Sequence, residues 1–142
     1  MWIIQKENRS MALPLTEVSC AVIMDGDSVL VTQRSEKMPH PLKWEFPGGK
    51  LMPGETPEAC IIREIREELG VEISVIQLLP SVRHRYSDSN IKLIPFVCTI
   101  RQGEIDLSEH RSFSWIPLSQ LEHLDWLEAD VEVVRLIDRY CQ

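Results

Sequence analysis

The chain has 142 residues, 44% of them hydrophobic, enough for one domain with a sizeable core. No apolar run approaches the roughly 18 residues of a membrane helix. The formal net charge of −7 and a pI near 5.1 exclude a duplex nucleic-acid surface, which needs clustered Lys and Arg to release phosphate counterions. Cys20, Cys60, Cys98 and Cys141 are widely spaced and form no C-x-x-C pair, so they read as reduced and mostly buried.

Residues 1–14 have no clear period and read as a loosely held N-terminal extension, with 15–142 as the folded domain. The MWII start is too short, and too charged downstream, for a signal segment. A dimer contact through Trp2, Ile3 and Ile4 is the competing reading, and Met11 offers an alternative start. These features predict a soluble, cytoplasmic protein, monomer or homodimer, with neither a membrane nor a nucleic-acid polymer as partner.

Residues 17–24 and 28–33 are apolar and rich in β-branched types, and Asp25-Gly26-Asp27 between them signals a hairpin turn. Arg34 ends the second strand. Residues 35–43, with Pro39 and Pro41 flanking His40, read as a loop. Trp44-Glu45-Phe46 reads as a short strand feeding a Gly48-Gly49 turn.

The next helix is delimited by its own residues. Thr56 suits the N-cap, Pro57 the first helical position, and Gly70 a left-handed C-cap, with no Gly or Pro in 58–69. Ile61, Ile62, Ile65 and Leu69 form a core-facing stripe. Glu64, Glu67 and Glu68 stand at i, i+3 and i+4, where like charges cost roughly 0.2–0.5 kcal/mol per pair. A positive group should therefore sit among them, and Arg63 reaches Glu67 at i+4. A solvated acidic face is the plain reading of such a helix. Against it, Gly48 and Gly49 let the backbone approach an ion, and an oxygen-only donor set is what Mg²⁺ prefers.

Residues 71–79 alternate like an edge or half-buried strand. Residues 82–86 and 91–100 look like a second hairpin around Ser87-Asp88-Ser89-Asn90. Tyr86 reads as an exposed strand residue or a ligand contact, and His84 has no visible partner. Glu109 lies in a Ser108-Glu109-His110 loop, six residues before Trp115. Ser119-Gln120-Leu121-Glu122 is a capping-box pattern for a short helix through Leu124. A last helix is predicted over 129–140, with Val133, Val134 and Ile137 inward and Asp130 at its start, as an N-cap or a ligand contact.

Gly49, five residues, Glu55, seven residues, and Arg63-Glu64-Ile65-Arg66-Glu67-Glu68-Leu69-Gly70-Val71 match every fixed position of the Nudix box of nucleoside diphosphate-linked hydrolases. Trp44-Glu45-Phe46-Pro47-Gly48-Gly49-Lys50 resembles the MutT-type branch, which cleans nucleoside triphosphate pools. The resemblance spans about residues 18–137. It implies an α/β Nudix fold, a mixed β-sheet sandwiched between α-helices, with the box helix on one face and the C-terminal helix on the other.

The resemblance further implies attack of water at the β-phosphorus of a nucleoside triphosphate, giving the monophosphate and pyrophosphate. The Gly48 carbonyl, Glu64, Glu67, Glu68 and Glu109 would hold Mg²⁺, or Mn²⁺ in its place. The catalytic set would be Glu64, Glu67, Glu109 and Arg63, with Arg63 and Glu55 locking the carboxylates; the general base stays open between Glu64 and Glu109. Arg34 would meet phosphates, Phe46 would form a pocket wall, and Tyr86 and Asp130 would meet the base, beside an apolar wall of Trp126 and Leu127. The implied substrates are 8-oxo-dGTP or CTP, dCTP and 5-methyl-dCTP. Two alternatives stand: a non-catalytic Nudix-fold nucleotide sensor or binding module, which usually loses box carboxylates that this chain keeps, and a Nudix hydrolase for another nucleoside diphosphate derivative.

Overall fold

The computed structural model describes residues 13–141. Trp2, Ile3 and Ile4, and with them most of the expected extension, lie outside the described residues. In chain order the elements are β1 (Leu15–Asp25), β2 (Ser28–Gln33), β3 (Trp44–Glu45), β4 (Gly48–Lys50) and α1 (Pro57–Leu69). They continue with β5 (Glu72–Leu78), β6 (Val82–Arg85), β7 (Asn90–Gln102), β8 (Ser112–Pro117), a 3-10 turn (Leu118–His123) and α2 (Glu128–Tyr140).

β1 is the strand on which the mixed sheet is built. One edge runs parallel to β7, from Leu15 opposite Asn90 to Ile23 opposite Cys98. The other edge is divided: Val18–Cys20 pair antiparallel with β4, and Met24 and Asp25 turn back into β2. β2 then carries β3 and β8, while β7 carries β5 and β6. The expected hairpins at Asp25-Gly26-Asp27 and between β6 and β7 both form.

The central strands read as unbroken apolar runs because both of their faces are covered. Cys20 and Val22 of β1, Val29 and Val31 of β2, and Leu93 and Val97 of β7 join one core with Val133 and Ile137 of α2. Their alternate neighbours, Ala21, Ile23, Leu30, Ile94, Phe96 and Cys98, join the other core with Ile61, Ile65 and Leu69 of α1. The helices thus cover opposite faces, as expected. Burying each of those three α1 side chains completely contributes about 1.5–3 kcal/mol. The four cysteines carry no disulfide; three are buried.

α1 has the predicted ends: Thr56 Oγ1 accepts from the Ala59 N–H at 3.1 Å, and Gly70 adopts φ 68°. Three other expectations need correction. Gly48-Gly49 is not a turn but the core of β4, because its backbone finds hydrogen-bonding partners on β1. The Ser119 capping box does not form; the turn from Leu118 to His123 is 3-10 and has no side-chain cap. Asp130 is not an N-cap: α2 begins two residues earlier, at Glu128, and Asp130 lies buried in its first turn.

Candidate active site

A cleft of about 610 Å³ opens over the half of β1 that pairs with β4, and Thr16, Val18 and Cys20 contribute to its lining. It collects Arg34, Phe46, Gly48, Glu68, Tyr86, Glu109 and Asp130, drawn from six separate stretches of chain. A larger hollow of about 780 Å³ between the 3-10 turn and α2 contains none of the predicted catalytic or metal-binding residues; of the expected apolar wall, Trp126 lines this hollow and Leu127 the cleft. Volume therefore does not locate the chemistry.

Glu64 and Glu67 stand on α1 with Arg63 threaded among them. Arg63 Nε and Nη2 donate to Glu55 Oε2 and Oε1 at 2.7 and 2.9 Å, a two-pronged bond, and Nη1 donates to Glu64 at 2.9 Å and Glu67 at 3.2 Å. This guanidinium holds the Glu55 carboxyl down to about 2, chiefly through that hydrogen bond. Nη2 also reaches the Lys50 carbonyl at 3.2 Å, so one side chain ties the helix to the end of β4. The positive group demanded by the acidic face is this arginine, and its contacts are those of a brace.

Both glycines of β4 stand where an added Cβ would collide with a neighbour, at Gly48 with backbone and at Gly49 with a side-chain end. A Cβ on Gly48 would lie 2.0 Å from the Ser19 carbonyl oxygen; one on Gly49 would lie 2.3–2.5 Å from the carboxyl atoms of Glu64. The strand passes close to β1 because Gly48 has no side chain, and the Glu64 carboxyl occupies the space that a side chain on Gly49 would take.

Glu68 is a strongly perturbed carboxylate of this site. Burial, reinforced by the negative charges of Glu64 and Glu45, pushes its carboxyl up to about 9, against a smaller pull from the Gly48 backbone. Its Oε2 is buried without a hydrogen-bond partner, as is His110 Nδ1, 4.0 Å away. Among the described residues no three His, Cys, Asp or Glu side chains, as they stand, form a group that could hold a metal ion. The donors nonetheless fit a hard cation: crowded carboxylates, an orphaned buried oxygen, and glycine backbone at close range.

At the other side of the cleft Asp130 is 4% exposed, and its Oδ2 accepts the Phe46 N–H at 2.7 Å. Burial pushes this carboxyl well above the usual carboxylate range, an effect the Phe46 N–H and Arg34 only partly oppose. Phe46 lines the cleft and stacks on Trp126, ring centroids 4.7 Å apart. Trp126 therefore supports the wall from behind, and Leu127 lines it. The Tyr86 hydroxyl accepts the Ala129 N–H at 3.1 Å, at the start of α2. His84, given no partner from sequence, meets Tyr86 edge-on and Glu128 at 3.2 Å.

Two residues in the cleft were not singled out from sequence. Glu45 accepts from Arg34 Nη1 at 2.9 Å and meets His110 Nε2 at 2.7 Å. From sequence Glu45 belongs to a short strand and to the flank that resembles the MutT-type branch, with no role of its own, and its partner His110 is 65 positions away, beyond any local pattern. The one available signal was the polar residue between Trp44 and Phe46.

Comparison with known proteins bears on the family and the fold. The NUDIX domain profile matches residues 14–137. An 8-oxo-dGTP diphosphatase of Proteus vulgaris is 38% identical over 89 residues, covering 62% of this chain and 80% of that protein. The CTP pyrophosphohydrolase of Escherichia coli K12 is 28% identical over 122 residues, covering 86% and 90%. The solution structure of the mismatch repair protein MutT from methicillin-resistant Staphylococcus aureus 252 superposes with a TM-score of 0.71 at 36% identity, covering 87% of this chain and 95% of that one. With its box intact and its helices on opposite faces of a mixed sheet, the chain belongs to the NUDIX family, as a hydrolase related to the 8-oxo-dGTP and CTP diphosphatases.

Proposed function

We propose that the protein is a Mg²⁺-dependent pyrophosphohydrolase of nucleoside triphosphates, releasing the monophosphate and pyrophosphate and acting on 8-oxo-dGTP or on cytosine triphosphates. The observation that carries this reading is the pairing, in one cleft, of Glu68, crowded by Glu45 in the same lining and by Glu64 on α1, with the buried Asp130. The relatives named for 8-oxo-dGTP and CTP support the same substrate class.

In this reading Glu64, Glu67, Glu68, Glu109 and the Gly48 carbonyl hold the metal. Bound there, Mg²⁺ or Mn²⁺ supplies charge neutralisation at the phosphate oxygens and acidifies a water. Arg34 takes a phosphate oxygen, and Arg63 fixes the carboxylates in place. Glu64 or Glu109 accepts the proton of the attacking water. Phe46 and Leu127 pack on the base, with Tyr86 at its rim. Asp130, kept protonated by burial, both donates and accepts along a base edge that presents an amino group beside a ring nitrogen. Cytosine offers that pattern at N3 and its 4-amino group, and oxidised guanine at N3 and its 2-amino group.

The test is pyrophosphate release with Mg²⁺ from 8-oxo-dGTP, dGTP, dCTP, 5-methyl-dCTP, CTP and ADP-ribose. An oxidised or cytosine triphosphate should lead. Glu67→Gln should lose more than about hundredfold, since even groups that only support metal ligands cost about 10–100-fold. A lead for ADP-ribose sinks the base assignment. Binding of nucleotide without pyrophosphate release sinks the enzyme and leaves a sensor.

A further inference from the structure

We propose that Glu45 and His110 form a positioning pair that joins the phosphate arginine and the metal-binding carboxylates into one mechanical unit. The inference rests on the preceding reading for what Arg34, Glu68 and Glu109 bind.

The geometry is specific. Glu45, on the two-residue β3, uses both carboxyl oxygens: Oε1 accepts from Arg34 Nη1 at 2.9 Å and Oε2 meets His110 Nε2 at 2.7 Å. A carboxylate only accepts, so His110 Nε2–H donates to Glu45, and Nδ1 faces Glu68 Oε2, 4.0 Å away. The His110 side chain is 5% exposed, far more enclosed than a loop imidazole placed for solubility. Its loop is anchored at both ends: the Ser108 N–H donates to the Glu68 carbonyl at 3.0 Å and the Arg111 N–H to the Gln33 carbonyl at 2.9 Å. Between those anchors, the bond to Glu45 holds the loop by a side chain.

Arg34 is fixed in the same way. Its Nε donates to the Pro39 carbonyl at 2.7 Å, so the Glu45 bond completes a two-point grip on the guanidinium. Glu45 thus fixes where the arginine points and, through His110, where the loop holds Glu109 and what stands beside Glu68. Side chains that hold metal ligands in place without touching the ion cost about 10–100-fold in metal affinity when lost.

The experiment reads Mn²⁺ alone, by electron paramagnetic resonance titration of the full chain, alongside kcat and KM for the leading triphosphate. His110→Ala should weaken Mn²⁺ binding about tenfold and lower kcat with KM little changed, because Arg34 keeps its grip. His110→Gln, which restores a donor to Glu45, should recover most of the loss. Glu45→Gln should weaken Mn²⁺ similarly and also raise KM. Combining Glu45→Gln with His110→Ala should be no worse for Mn²⁺ than the weaker single variant, the non-additivity of two residues acting through one bond.

Additive losses, a His110→Ala that changes melting temperature but neither Mn²⁺ affinity nor kcat, or failure of Gln to rescue would overturn the pair. So would direct ¹⁴N coupling to bound Mn²⁺ that vanishes in His110→Ala, which would make His110 a ligand. Absence of a tight Mn²⁺ site in the parent protein also overturns it. If Mn²⁺ responds as described while no triphosphate is cleaved, the pair stands and the pyrophosphohydrolase falls.

Discussion

Gly48 and Gly49 are adjacent in β4, yet they are constrained by different neighbours, and substitution should separate them. At Gly48 a methyl group would drive into the Ser19 carbonyl and the Cys20 Cα, both backbone, so β4 itself must shift from β1. Gly48→Ala should lose about 1–3 kcal/mol, the usual cost of overpacking, seen as a melting temperature lower by roughly 3–12 °C. At Gly49 the obstacle is the end of the Glu64 side chain, which can swing away. Gly49→Ala should therefore fold nearly as well as the parent while losing most of its pyrophosphate release. Equal stability losses in the two variants would contradict this division. Neither restriction is visible in the letters GG alone, which suggested a turn; the neighbours that impose them arrive from β1 and α1.

The elements repeat this contrast between local and distant causes. α1 was legible because its stop and start signals are its own residues, Thr56, Pro57 and Gly70, and its apolar stripe has the helical period. The brace on its acidic side is also short-range, and it depends on a planar fork that lysine lacks. Arg63→Lys should keep the helix but lose the paired bond to Glu55, lowering kcat about 10–100-fold with KM within about threefold of the parent; an unchanged kcat would remove Arg63 from the positioning of the carboxylates. α2 was legible as a helix but misjudged at its start. Asp130 has the chemistry of a cap, and the placement of Phe46, 84 positions earlier in the chain, is what draws it inward. Glu45 and His110 were missed for the same reason, and the Ser119 pattern failed because the chain there tightens into a 3-10 turn before it can build an α-helical end.

At the scale of the whole molecule, a carboxyl kept protonated in the core makes stability depend on pH. Asp130 has its folded pKa raised by burial, so between the ordinary carboxylate value and the raised one the native state holds a proton that the unfolded chain has released. Stability contributed by Asp130 is complete below that window and is lost as pH rises through it. Asp130→Asn removes the titration and keeps an acceptor for the Phe46 N–H. Its stability relative to the parent should be level near pH 4 and improve with rising pH by up to about 1.4 kcal/mol per unit; a difference independent of pH, measured by urea unfolding, would refute the buried neutral carboxyl. The parallel pairing of β1 with β7 has its own reach. Residues 15–23 wait for 90–98 before the platform beneath β4 is complete, and Glu109 and Asp130 come later still. During translation the full sequence motif, finished at Val71, precedes Asp130 by 59 residues, roughly 3–12 s at ordinary elongation rates. Through that interval the nascent chain carries the complete motif while residues that finish the lining of its cleft are still unmade.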